Sequence, residues 1–302
     1  MKKYKVAIFT AYYNRENNVS ESISSLLNQT YDDFVVVAIN DGSTDNTLSK
    51  MKDINDDRLI IIDKDNSGFV SSMIYAINKI DSEYIAIHGS GDISYPDRIS
   101  LQVEVLDNNP NVGVVGCHYK NIDLTRNKSV EFHNLSGLIK GPEMAIQLSM
   151  KNPLTQGEVM LRRDVYNKVG GYNPLFIFSQ DYDLWTRISK VTDFFIIPKV
   201  LYERYVCFDG VSGNVNKIAI QQYLASVARV NSFVDNYDIN VLSVFKKIND
   251  PILSKRLIRL NVRAILYEKV YPKDLARINL LELGTKGLFF NLLLNICRLR
   301  RK

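Results

Sequence analysis

Residues 84–98 read YIAIHGSGDISYPDR, and this stretch sets the architecture of the chain. The apolar, β-forming run at 84–87 predicts a buried strand that stops at His88, Gly89, Ser90, Gly91 and Asp92. Small residues at a strand end let a bulky charged ligand come close to the backbone, and one carboxylate stands among them. Pro96 suits a first helical turn, so a helix is predicted to leave the site there. In open α/β sheets ligands bind beyond the carboxyl ends of strands, which is where Asp92 falls.

Working outward, residues 34–39 (FVVVAI) form a nearly unbroken apolar run, as expected of a parallel strand covered on both faces. Residues 5–10 predict a first strand, 58–62 a third and 84–88 a fourth. Helices are predicted between them: one carrying Val19, Ile23, Leu26 and Leu27, one carrying Leu48 and Met51, and one over 68–80. Regular alternation of strand and helix predicts a mostly parallel, doubly wound α/β sheet flanked by helices. Beyond it, 112–117 and 158–161 predict short strands, 163–169 a helix closed by Gly170 and Gly171, and 181–191 an amphipathic helix. Strands are expected at 194–197 and 201–207, whereas 118–150 has no readable period. From residue 215 long helical periodicity takes over. The expected organisation is therefore one domain over 1–212 and an α-helical extension over 213–302.

The composition, 46% hydrophobic and 24% charged over 302 residues, excludes a disordered chain. Cys117, Cys207 and Cys297 are far apart and odd in number, as suits reduced thiols, and His88, His118 and His133 show no metal-ligand spacing. The basic start at residues 1–18 has no cleavage signature and reads as the first strand, giving a cytoplasmic expectation. The net charge of +5 is unevenly spread. Residues 213–302 hold 16 Lys and Arg against 6 Asp and Glu, a net +10, which leaves 22 against 27, a net −5, for residues 1–212. The tail ends in GLFFNLLLNICRLRRK, too short to span a bilayer. It suits either an anionic membrane surface, at the inner face of the plasma membrane, or a helix docked on the domain. With no recognition module beside the basic residues, nucleic acid is not an expected partner.

Taken together, TAYYNRENN (10–18), NDGSTDNT (40–47) and QDYDLWTRI (180–188) resemble the family 2 glycosyltransferases, over roughly residues 4–212. The resemblance implies the GT-A fold and sugar transfer, with inversion, from a nucleotide diphosphate sugar, most often UDP-linked, to a saccharide or lipid-linked saccharide acceptor of the cell surface. It implies Mg²⁺ or Mn²⁺ as cofactor. Ala11, Tyr12, Asn14 and Glu16 match the family's loop around base and ribose, and Asp41 matches the acidic residue facing the uracil. Gly68, Ser90, Gly91 and Asp92 complete the expected donor site, with Asp92 as metal ligand. Here the chain departs from the family pattern, because Gly89 and Gly91 stand where Asp-x-Asp motifs carry acids, which puts the metal in question.

Residues 152–163 resemble the family's acceptor wall. If 158–161 is a strand, Gln156 and Glu158 share a face and could meet acceptor hydroxyls. Asp181 matches the family's catalytic base, with Asp183 as fallback; a carboxylate opposite the leaving nucleotide is what inversion requires. Both acids also suit a helix start. Arg204 is the expected contact from the loop that closes over the diphosphate in relatives.

Overall fold

The computed structural model describes residues 3–133 and 135–206, together with residues 221, 222, 224, 225, 228 and 229. The chain divides into a body, Met1–Leu175 with Arg187–Val206, and a second unit, Phe176–Thr186 with Cys207–Lys302.

Alternation of strand and helix opens the body as the sequence predicts. The elements are β1 (Tyr4–Tyr12), α1 (Val19–Leu27), β2 (Phe34–Asp41), α2 (Thr47–Lys52), β3 (Leu59–Lys64), α3 (Phe69–Lys79) and β4 (Ser82–Ile87). The four strands lie parallel in the order β3-β2-β1-β4, with Ile8 opposite both Val36 and Ala86. Every residue of β2 is buried, because helices cover both faces of the sheet. α1 buries Val19, Ile23, Leu26 and Leu27, the predicted apolar stripe. Each such side chain contributes about 1.5–3 kcal/mol on leaving water.

The chain continues through β5 (Ile93–Ser94), α4 (Arg98–Asn108), β6 (Val112–Asp123), β7 (Lys128–Phe132), β8 (Gly137–Ile139), α5 (Gly141–Met150), β9 (Met160–Arg162), α6 (Arg163–Lys168), α7 (Gln180–Ile188) and β10 (Asp193–Tyr205). Several boundaries differ from expectation. α4 begins at Arg98 instead of Pro96, because Ile93 and Ser94 first pair antiparallel with β10. β6 extends six residues past Cys117 and recruits β7 as an antiparallel partner, a pairing that local periodicity cannot announce. The two strands expected at 194–197 and 201–207 are one, broken in register between Ile197, Val200 and Tyr202. Pro198, which has no N–H to give a ladder, sits in that irregularity. Residues 155–158 form a turn, and β9 begins only at Met160.

β9 runs antiparallel between β4 and β6, and β10 lies parallel to β6, so the sheet is mixed but mostly parallel. Two arginines tie this half to the first. Arg163 donates to the carbonyls of Ile77, Ile80 and Ser82, satisfying the last turn of α3. Arg98, fully buried, donates to the Ile87 carbonyl at 3.1 Å and the Gly157 carbonyl at 2.6 Å, fixing the end of β4 against the 155–158 turn. Among the described residues no helix is long and apolar enough to cross a membrane. Apart from the six residues named above, the basic extension at 213–302, with the apolar and basic stretch at 287–302, lies outside the described residues.

Candidate active site

The loops after β1 and β2 are laced together. Asn14, at φ 52°, accepts from the Thr44 amide and donates its own amide to the Ser43 hydroxyl. The Arg15 amide donates to Thr47 Oγ1, and the Glu16 amide to Asp45, while the Glu16 carboxylate accepts from the amide and side chain of Asn46. Asn14 and Glu16 thus hold the two strand ends side by side. Ala11 and Tyr12 are buried, and the Tyr12 hydroxyl donates to Ser22. Tyr12 therefore offers no ring face to a base, because β1 turns it into the core. The exposed aromatic of this loop is Tyr13, at 48%.

Asp41, only 3% exposed, ends β2 as the acceptor of four donors. Its Oδ1 accepts from Lys64 Nζ at 2.9 Å, the Ser67 amide at 3.0 Å and Ser72 Oγ at 2.7 Å, and its Oδ2 from the Gly68 amide at 3.0 Å. Lys64 is its direct partner in the β2–β3 ladder. Burial alone would push this carboxyl up, but the Ser72 hydroxyl, the Ser67 amide and the Lys64 ammonium hold it below the usual carboxylate range. Gly68, at φ 84°, needs glycine's freedom to present that amide at the start of α3.

Asp92 is 7% exposed and is gripped by β10: Oδ2 accepts from the Tyr202 hydroxyl at 2.5 Å and Oδ1 from the Tyr205 amide at 2.8 Å. The Tyr202 oxygen in turn accepts from the Gly89 amide at 2.9 Å. Burial pushes Asp92 up to about 6; the Tyr202 and Tyr205 donors and the guanidinium groups of Arg204 and Arg98 recover only part of that shift. His88 links the turn to the core through Ser22 and the Asp92 carbonyl, and burial beside Arg98 keeps its ring neutral. Ser90 Oγ and Asn18 Oδ1, beside the turn, are buried without a hydrogen-bond partner. Gly91, at φ 87°, lies against Asn18, whose side chain fills the place of a Cβ.

These residues do not match a divalent cation. Mg²⁺ and Mn²⁺ take oxygen ligands in near-octahedral sets and keep several waters. Asp92 is one carboxylate, nearly closed to solvent, with a protein donor on each oxygen. A Cβ at Gly89 would overlap the Asp92 carboxylate and the Tyr202 hydroxyl, so an acid at that position would have to displace both from the bond they share. Among the described residues no three His, Cys, Asp or Glu side chains are grouped for a metal.

On the acceptor side the pairing expected of Gln156 and Glu158 fails, because 155–158 is a turn. Gln156 donates to the Tyr172 hydroxyl at 2.8 Å. Glu158 is fully buried, its carboxylate accepting from the Thr155 amide and hydroxyl, and burial pushes it up. It is an inward bracket, out of reach of an acceptor sugar. Arg204 lies over the Tyr119 ring at 5.7 Å, while its neighbour Glu203 takes the Tyr95 hydroxyl and Lys120.

In the second unit, Asp181 and Asp183 occupy the first turn of α7. Asp183 is fully buried and its amide caps back to the Ser179 carbonyl, whereas Asp181 is half-buried. Of the two acids, Asp181 is the one with access to solvent. Trp185, on the same helix, is fully buried.

Sequence reasoning missed Lys64, Ser72, Asn18, Arg98 and Tyr202. Only Lys64 had a signal: placing β2 and β3 in register sets it beside Asp41.

The profile of the family described as "Glycosyl transferase family 2" matches residues 7–170. The chain belongs to glycosyl transferase family 2. It is 29% identical over 205 residues to an uncharacterized glycosyltransferase of Haemophilus influenzae, a match covering 62% of this chain and 60% of that protein. The chain thus spans less than two thirds of that relative's length. Among solved structures it is similar to S. aureus TarS 1-349 in complex with UDP-GlcNAc, with a TM-score of 0.63 and 16% identity over 91% of this chain and 83% of that one. It is also similar to the mannosyltransferase PcManGT of Pyrobaculum calidifontis in complex with GDP-Man and Mn²⁺, at a TM-score of 0.56 and 18% identity over 98% and 80% of the two chains. At these identities the likeness shows the fold, which is GT-A as the resemblance implied.

Proposed function

We propose that this family 2 member transfers a sugar from a nucleoside diphosphate donor, UDP-linked, to a saccharide or lipid-linked saccharide in cell-surface glycan synthesis. The observation that carries the reading is the convergence of strand-end loops. The turns after β1, β2 and β4 stand side by side at the carboxyl ends of parallel neighbours, where such sheets bind nucleotides. The TarS complex with UDP-GlcNAc, on the same fold, supports a uridine donor.

In this reading the loop of Asn14 and Glu16, with Tyr13, and the Asp41–Gly68 corner frame the nucleoside, and Ser90 and Gly91 offer the diphosphate a close backbone. Asp181 takes the proton of the acceptor hydroxyl as that oxygen attacks the anomeric carbon. The bond from the anomeric carbon to the diphosphate oxygen breaks on the opposite face, and configuration inverts. The catalytic domain is 1–212, and the basic region 213–302 is the part suited to an anionic membrane surface, on the cytoplasmic side. A second reading, donor binding without transfer, draws on Gly89 and Gly91 standing in place of acids.

Incubating the full chain with UDP-sugars and saccharide acceptors, and following the anomeric proton by NMR, tests both. Inverted product from the wild type, reduced at least a hundredfold in Asp181→Asn with donor affinity kept, is the expected result. Product of retained configuration would refute the single displacement, and binding with no product from any donor and acceptor pair would favour the second reading.

A further inference from the structure

We infer that the turn Gly89–Gly91 seats the donor diphosphate without a divalent cation: Asp92 is a structural acceptor that pins β10 to the turn, and the Arg204 guanidinium supplies the positive charge. The inference rests on the nucleoside diphosphate reading above and specifies its electrostatics.

Three observations carry it. The first is steric. The space beyond Gly89 is filled by the Asp92 carboxylate and the Tyr202 hydroxyl, and the space beyond Gly91 by the Asn18 amide. Neither position can accept an acidic side chain while those groups stay in place, and at Gly91 the positive φ adds backbone strain, so a second or third carboxylate there would break the ring that Asp92 makes or displace Asn18. The second is the state of Asp92, which spends both oxygens on the Tyr202 hydroxyl and the Tyr205 amide. Those bonds close a ring, because Tyr202 also accepts from Gly89. The carboxylate thereby sets where the end of β10 sits against the turn.

The third concerns positive charge. Arg204 lies in the short segment between the two residues that this ring holds, Tyr202 and Tyr205. Its guanidinium lies over Tyr119, close enough to Asp92 and Glu158 to offset part of the rise that burial gives each carboxyl, and among the described residues no carboxylate or carbonyl takes its hydrogens. Arg98, buried below, also faces Asp92. Two fixed cations beside one carboxylate repel a third, whereas a planar guanidinium with open donors matches phosphate oxygens.

The test is calorimetric titration of the full chain with UDP and with GDP, once with EDTA and once with excess Mn²⁺. Mn²⁺ electron paramagnetic resonance of the protein–UDP mixture is read in parallel. The expected result is a Kd that agrees within about twofold between the two conditions, with no more Mn²⁺ immobilised than by UDP alone. Arg204→Ala should weaken binding about tenfold or more in both conditions, with Arg204→Lys recovering part of it. Tightening of tenfold or more by Mn²⁺ in the wild type would overturn the inference, and no variant need fold for that comparison. Unchanged affinity in Arg204→Ala would remove Arg204 from the role. If neither nucleotide binds in either condition, the nucleoside diphosphate reading falls as well, an outcome distinct from metal dependence.

Discussion

Asp41 ends β2 and Asp92 stands in the turn after β4, and each is almost shut off from solvent, yet their surroundings are opposite. Asp41 meets an ammonium, a hydroxyl and two amides, which together outweigh burial and keep it ionised. Asp92 meets one phenol and one amide, and burial prevails, lifting it to about 6. The contrast teaches that a carboxylate at a strand end is no fixed kind of site. What decides its chemistry is the number of donors that the neighbouring loop turns toward it.

The comparison breaks most sharply at Asp41. Asp41→Ala leaves Lys64, Ser72 and two loop amides without their acceptor, and should destabilise the fold by about 3–4 kcal/mol in denaturant unfolding. Next is Gly89→Ala, whose methyl would overlap Asp92 and Tyr202; a loss of about 3 kcal/mol is expected, seen as a lowered Tm. A change within about 0.5 kcal/mol would show that the turn yields and that the packing argument against acids there is wrong.

The pH dependence separates the two carboxylates by sign. The folded Asp92 has a raised pKa, so between about pH 4 and 6 the folded chain holds a proton that the unfolded chain has lost. Its contribution is most favourable below pH 4 and falls by about 2–3 kcal/mol as pH rises to 6, then stays level. Asp41 runs the other way: its stabilisation is full above the unfolded value near 4 and is lost as pH falls through its lowered folded value. Unfolding free energies of wild type and Asp92→Asn measured from pH 4 to 7 should diverge with that slope, and parallel curves would place Asp92 in a wetter site than described. The smallest effect is Tyr202→Phe, which removes one donor to Asp92 and one acceptor for Gly89. It should cost about 1–2 kcal/mol and raise the Asp92 pKa further, read by carboxylate NMR titration.

The amino-acid sequence by itself determined the first hundred residues almost strand by strand, because a covered parallel strand such as β2 and an amphipathic helix such as α1 each carry a period that their own residues set. It also picked out the strand-end loops and the family. It could not place β7, β8 and the far half of β6, whose formation depends on partners far along the chain. Nor could it say where side chains at those strand ends turn. Tyr12 goes into the core and Tyr13 out, Glu158 closes on Thr155, and Asp41 is matched with Lys64 while Asp92 is left with Tyr202, 110 residues away. Those outcomes belong to tertiary structure for one physical reason. A carboxylate's charge state and availability are set by the dielectric and the donors around it, and both come from segments that only folding brings together.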